Sequence, residues 1–163
     1  MSPAPLILAS TSLYRRQLLN RLRLDFEVIS PQVDESPQPL ETPFERAQRL
    51  ALAKARAVST RRPAATVIGS DQVAVCKGEQ LEKPGGAERC QAQLRWLSAS
   101  AATFYSAVAV LPAHHGANIQ FVDTTTVNFR PLSAAEIERY VAADQPFDCA
   151  VRVNSFVVTP FGS

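Results

Sequence analysis

Histidine and cysteine are scarce in this chain, at two and three of 163 residues. His114 and His115 are adjacent, beside Gly116 and between two strand-like runs, which is the pattern of a turn and not of spaced metal ligands. Catalysis built on imidazole is therefore not expected. Cys76, Cys90 and Cys149 lie far apart with no CxxC pair, so neither a zinc site nor a disulfide framework is expected. They read as small buried thiols of a cytoplasmic protein. Long apolar runs are missing too: Leu6 to Ala9 and Ala107 to Pro112 fall far short of the ~20 residues a membrane helix needs. The N-terminus has neither a basic segment nor a long apolar one, so no export signal is expected. Charge of one sign is also lacking. Seventeen Lys and Arg against fifteen Asp and Glu leave +2, too little for a protein that grips a nucleic-acid backbone.

What remains is 46% hydrophobic and 20% charged, enough to bury a core without staples. Leu6-Ile7-Leu8-Ala9 is a continuous apolar run, as in a strand covered on both faces. Hydroxyls at 10–12 then lead into a helix over Leu13 to Leu22, with apolar positions at 18, 19 and 22. Phe26 to Ser30 reads as a strand, and prolines 37, 39 and 43 punctuate a polar loop. Pro43 to about Ser59 is an amphipathic helix. Thr66 to Gly69 is a buried strand ending in Ser70-Asp71-Gln72, which Val73 to Cys76 can extend before a turn at 77–79. A helix over Gly85 to Leu97, strands over Thr103 to Leu111 and Phe121 to Phe129, and a helix capped by Ser133 with Glu136 complete a mixed α/β pattern.

With imidazole and thiolate set aside, chemistry falls to carboxylates, lysines, arginines and hydroxyls. Three polar clusters stand at predicted strand ends, where loops and helix N-termini present free backbone N–H groups. Ser10-Thr11-Ser12 with Arg15 and Arg16 can seat phosphate oxygens. Two cations in a first helical turn oppose the macrodipole unless an anion offsets them. Asp34-Glu35 is either a solvated turn or a metal-side carboxylate pair. Asp71, at a buried position, needs a partner or a coordinated ion. Lys54 lies on an otherwise apolar helix face, where a snorkelling lysine is the plain reading. Lys83-Pro84 precedes a glycine pair and can also reach a phosphate. Together these describe an Mg²⁺-assisted site for a polyphosphate.

The motifs Leu6–Arg16 (LILASTSLYRR), Val33-Asp34-Glu35, Ala51 to Lys54, Ile68-Gly69-Ser70-Asp71-Gln72, Lys83-Pro84, Thr103-Phe104-Tyr105 and Val127-Asn128-Phe129-Arg130 occur in one order. In that order the chain resembles the Maf family of nucleoside-triphosphate pyrophosphatases, from residue 6 to about 150. Gln72 after the aspartate and Tyr14 before the arginine pair resemble its 7-methyl-GTP branch. The resemblance implies an elongated mixed α/β sheet with flanking helices and a central cleft, a fold like that of the inosine-triphosphate pyrophosphatases (Maf/Ham1). It implies one Maf-like domain over 1–163 with two lobes, usually a homodimer, acting on a nucleotide with Mg²⁺ or Mn²⁺.

By position, the resemblance makes Asp71 the general base and, with Glu35, a metal-side carboxylate. Ser10, Arg15, Arg16, Lys54 and Lys83 hold the triphosphate. Tyr14, Gln72 and Phe156 occupy specificity positions, a glutamate being usual at the last. After Cys149-Ala150 the family continues through a Gly-rich stretch, whereas this chain runs Val151 to Val158 and reads as atypical and truncated from about 151. The alternatives are the dTTP/UTP branch, or an inactive nucleotide-binding, septum-related regulatory protein.

Overall fold

A computed structural model describes residues 3–147. In chain order the elements are β1 (Leu6–Ala9), α1 (Leu13–Asn20), β2 (Glu27–Ile29), α2 (Pro43–Ser59), β3 (Thr66–Cys76), β4 (Glu79–Leu81), α3 (Ala87–Leu97), β5 (Ala101–Leu111), β6 (Ile119–Asn128) and α4 (Ala134–Asp144). A single 3-10 turn (Ala113–His115) joins β5 to β6 and holds the histidine pair. The sheet is mixed and six-stranded, with order β2-β1-β3-β5-β6 and β4 paired to β3. β1 runs parallel to both β2 and β3, as the strand–helix–strand pattern requires, while β4 folds back antiparallel on β3.

Among the described residues the chain forms two compact units. The first comprises residues up to Gln72 with Tyr105–Asp123, the second Val73–Phe104 with the chain from Thr124. The first unit is built on the α2 stripe Ala47, Leu50, Ala51, Lys54, Ala55 and Val58, whose i, i+3, i+4, i+7 spacing lays one face on the sheet. Its strands contribute Ile7, Leu8, Ala9 and Val67, all buried. In the second unit Cys76, Leu81, Leu97, Phe104 and Phe129 pack together. Cys90, Leu94, Ile137, Tyr140 and Val141 form a second cluster where α3 meets α4. Cys76 and Cys90 are buried free thiols, and burial pushes both thiol pKa values up, so neither is a ready thiolate.

Three local outcomes refine or differ from the sequence expectation. First, β3 takes up the extension that Val73 to Cys76 allowed and runs unbroken to Cys76. Second, the turn at 77–79 is a tight hairpin: Lys77 and Gly78 both take positive φ (51° and 79°), the pattern of a type I′ turn. That turn creates β4, too short at three residues to show a period in the sequence. Third, α1 stops at Asn20, because i→i−3 bonds tighten residues 21–23 and Arg23 turns left-handed (φ 56°). Leu18 and Leu22 stand exposed instead of forming a buried stripe.

The Ser133 capping box is present. Ser133 accepts from the Glu136 N–H, while the Glu136 carboxylate accepts from the Ser133 N–H at 2.8 Å and from Arg130 at 2.8 Å. Arg130 first, then Ser133, holds the Glu136 pKa at about 2, well below the ordinary 4.5. A depressed carboxylate stabilises the fold above its unfolded pKa, and that stabilisation disappears as pH falls through the folded value. Glu136→Gln keeps the reach to Ser133 and removes the charge. Its melting temperature is expected to lie below wild type at pH 7, with the gap closing as pH falls from about 4.5 towards 2. A gap that is constant with pH would show that the charge contributes nothing.

Candidate active site

β1 stops at Ala9, opposite Gly69, while β3 continues beyond it. Alternation along β3 puts Val67, Gly69 and Asp71 on one face, and α2 lies against that face. The approach is close enough that only glycine fits at 69: a Cβ there would sit 2.2 Å from the Ala51 carbonyl oxygen and 2.6 Å from the Ala55 nitrogen. Lys54 stands between those two alanines in sequence. It meets Asp71, one step past Gly69 on the same face.

The Lys54 Nζ donates to Asp71 Oδ1 at 2.7 Å and lies 2.9 Å from Glu35 Oε1. Lys54 is 6% exposed and Asp71 7%, so the plain reading of a snorkelling lysine is corrected. The ammonium does not run out to water, because two carboxylates supply the solvation that burial removes. Glu35 itself is more than half exposed and comes from the loop after β2. Its neighbour Asp34 behaves as the turn residue. Asp34 Oδ1 accepts from the Ser36 hydroxyl at 2.6 Å and the Ser36 N–H at 2.9 Å, and these bonds hold its pKa below the ordinary carboxylate value.

Ser10 follows β1 and is 3% exposed, its hydroxyl accepting from the Ser12 N–H at 3.1 Å. Ser12 in turn caps α1 by accepting from the Arg15 N–H. No acidic residue occupies the first turn of α1, so its N-terminus keeps its attraction for an anion. Arg15 is half-buried and Arg16 exposed. Tyr14 is 39% exposed. Gln72 turns to the opposite side of β3 from Asp71 and donates from Nε2 to the Ser106 hydroxyl at 2.8 Å. Lys83 is exposed in the second unit, where it lines a cavity of about 330 Å³ with Glu82, Arg89 and Trp96. Phe156 lies outside the described residues, as does the segment from about 151.

The structure therefore brings Glu35, Lys54 and Asp71 together from a loop, a helix and a strand. Sequence reasoning missed Ser106, which fixes the Gln72 carboxamide, and the helix arginines that hold the Glu35 loop. No spacing rule marks contacts between residues so far apart in the chain.

The two carboxylates that flank the Lys54 ammonium are hard oxygen donors, with no nitrogen or sulfur ligand beside them, the kind that suits Mg²⁺ or Mn²⁺ shared with phosphate oxygens. No group of three His, Cys, Asp or Glu able to hold a metal by protein alone occurs among the described residues. The oxygen chemistry of Glu35 and Asp71 thus fits a cation that brings phosphate oxygens as its further ligands.

The fold is shared with the Ham1 protein of Staphylococcus aureus, with a TM-score of 0.51 at 17% identity over 77% of this chain and 71% of that one. This is the α/β class that the sheet order defines. Within it, the Maf-like protein model matches residues 5–154, and the chain belongs to the Maf family. A Bordetella pertussis protein named 7-methyl-GTP pyrophosphatase is 52% identical over 148 residues, covering 91% of this chain and 73% of the relative. A Polaromonas protein of the same name is 53% identical over 151 residues, covering 93% and 69%.

Proposed function

We propose that this chain is a nucleoside-triphosphate pyrophosphatase that hydrolyses 7-methyl-GTP to 7-methyl-GMP and pyrophosphate. The observation that carries the reading is the buried ammonium of Lys54 held between Asp71 and Glu35. It stands in a chain half identical to proteins bearing that activity in their names. Asp71 Oδ1 is engaged by Lys54, which orients the carboxylate and leaves Oδ2 to take a proton from water attacking the α-phosphorus. The Lys54 ammonium offsets charge on the phosphate oxygens. Ser10 and the open N-terminus of α1, with Arg15 and Arg16, bind the triphosphate. Lys83 is assigned to the same substrate by its Lys-Pro motif. Glu35 and Asp71 are the carboxylates that would hold a divalent cation, whose contribution would be to neutralise charge on the pyrophosphate leaving group.

Tyr14 and Gln72 are assigned to base selection. N7-methylation makes guanine cationic, and an exposed tyrosine ring offers a π face to a cation. We assign the protein to the cytoplasm as a homodimer; no helix among the described residues is long and apolar enough to cross a membrane. The test is pyrophosphate release from a panel of 7-methyl-GTP, GTP, dTTP and UTP, with Mg²⁺ and with chelator. The expected result is metal-dependent release that is fastest from 7-methyl-GTP. Preference for dTTP or UTP would overturn the substrate assignment, and release from none of them the activity.

A further inference from the structure

Glu35 sits in a stretch between β2 and α2 that has no strand or helix of its own and contains Pro31, Pro37 and Pro39. Such a loop cannot by itself hold a half-exposed carboxylate against a buried ammonium. Two side chains of α2, one turn apart, grip it by the carbonyls at and next to Glu35. Arg46 Nη2 donates to the Glu35 carbonyl at 2.9 Å, and Arg49 Nη2 to the Ser36 carbonyl at 3.1 Å. Arg49 is itself fixed by Glu41: its Nε donates to one carboxylate oxygen and its Nη2 to the other at 2.8 Å. The Glu41 side chain is only 7% exposed and that of Arg49 26%, so this fork is largely shielded from water. Glu41 also accepts from the Gln38 N–H, which ties the far end of the loop to the same pair.

We infer that Arg49, oriented by Glu41, is a positioning residue that places the Glu35 carboxylate beside Lys54. The inference rests on the functional reading above only for what Glu35 does once placed. Arg49 touches no reacting atom; it acts through the backbone next to Glu35. The charges of Glu41 and Arg49 hold each other in place: the Arg49 bond keeps the Glu41 carboxyl below its ordinary pKa, and Glu41 raises that of Arg49. The planar guanidinium donates from Nε and Nη2 to both oxygens of the Glu41 carboxylate while Nη2 also reaches the Ser36 carbonyl, a fixed fork that the single nitrogen of a lysine does not reproduce.

The test is a double-mutant cycle of Arg49→Lys with Glu35→Gln, read by pyrophosphate release and by the affinity of a non-hydrolysable α,β-methylene nucleotide. It is accompanied by amide exchange over residues 33–38. Arg49→Lys is expected to slow turnover roughly 10–100-fold, the usual cost of loosening the group that orients a ligand, with nucleotide affinity nearly unchanged. In the Glu35→Gln background it is expected to add no further loss. Exchange at 34–37 is expected to speed up. Glu41→Gln, which removes the charge that orients Arg49, should give the same pattern with a lowered melting temperature, so turnover and exchange are read well below that temperature. Equal losses in both backgrounds would overturn the inference, because a purely structural role costs the same with or without Glu35. Unchanged exchange over the loop would overturn it as well. If the wild type releases pyrophosphate from no nucleotide, the functional reading fails, and the exchange arm still decides whether Arg49 holds the loop.

Discussion

Asp71→Asn is expected to lower the turnover of 7-methyl-GTP by a factor on the order of 10²–10⁴, the usual contribution of a positioned base, while nucleotide still binds. Asparagine has nearly the shape of aspartate and still presents an oxygen to Lys54, so the contact at 2.7 Å has an acceptor. What is lost is the negative charge and the capacity to take a proton. Asp71 is also one of the two proposed cation ligands, so binding is read without divalent metal, where loss of a negative charge near the proposed phosphate seat should let affinity for the triphosphate hold or rise. The check is steady-state pyrophosphate release together with calorimetric binding of an α,β-methylene analogue. Full turnover in this variant would remove Asp71 from the role of base. Loss of both binding and melting temperature would show that Asp71 is needed to neutralise Lys54 and not for the chemistry.

Gly69→Ala should have the second large effect, on stability first. The new Cβ would meet backbone atoms of Ala51 and Ala55, not flexible side chains, so no rotamer change relieves the contact. α2 must lift from β3. Overpacking of this kind costs about 1–3 kcal/mol or more, which for a chain this size lowers the melting temperature by roughly 2–12 °C. Activity should fall further than stability, because the same lift separates Lys54 from Asp71. A thermal scan and a turnover measurement below the variant's melting temperature distinguish the two losses. Unchanged melting would mean that α2 does not rest on Gly69 as described.

The elements that set up this site were legible in the sequence to different degrees. α2 runs over Pro43–Ser59 as its apolar spacing and N-terminal proline indicate, and β1 over Leu6–Ala9 as its unbroken apolar run indicates. These signals are local and strong. Asp71 was readable as a polar residue out of place, and its position inside a strand only as an allowed extension, because Ser70-Asp71-Gln72 interrupts the apolar run that marks β3. The strand survives because alternation still buries positions 67, 69, 71 and 73 on one face. The partners of Lys54 were not legible for a related reason. A lysine on an apolar stripe normally runs to water, and its partners lie 17 residues onward and in the loop before α2. Only packing reveals them. The arginine grip on the Glu35 loop leaves no trace in spacing, since it acts on backbone carbonyls that every residue carries.

The central claim is that water, activated at Asp71, attacks the α-phosphorus of 7-methyl-GTP. It is tested most directly by running the reaction in ¹⁸O-enriched water and weighing both products. The account predicts one heavy oxygen in 7-methyl-GMP and none in the pyrophosphate. Label in the pyrophosphate, or orthophosphate as the product, would contradict it.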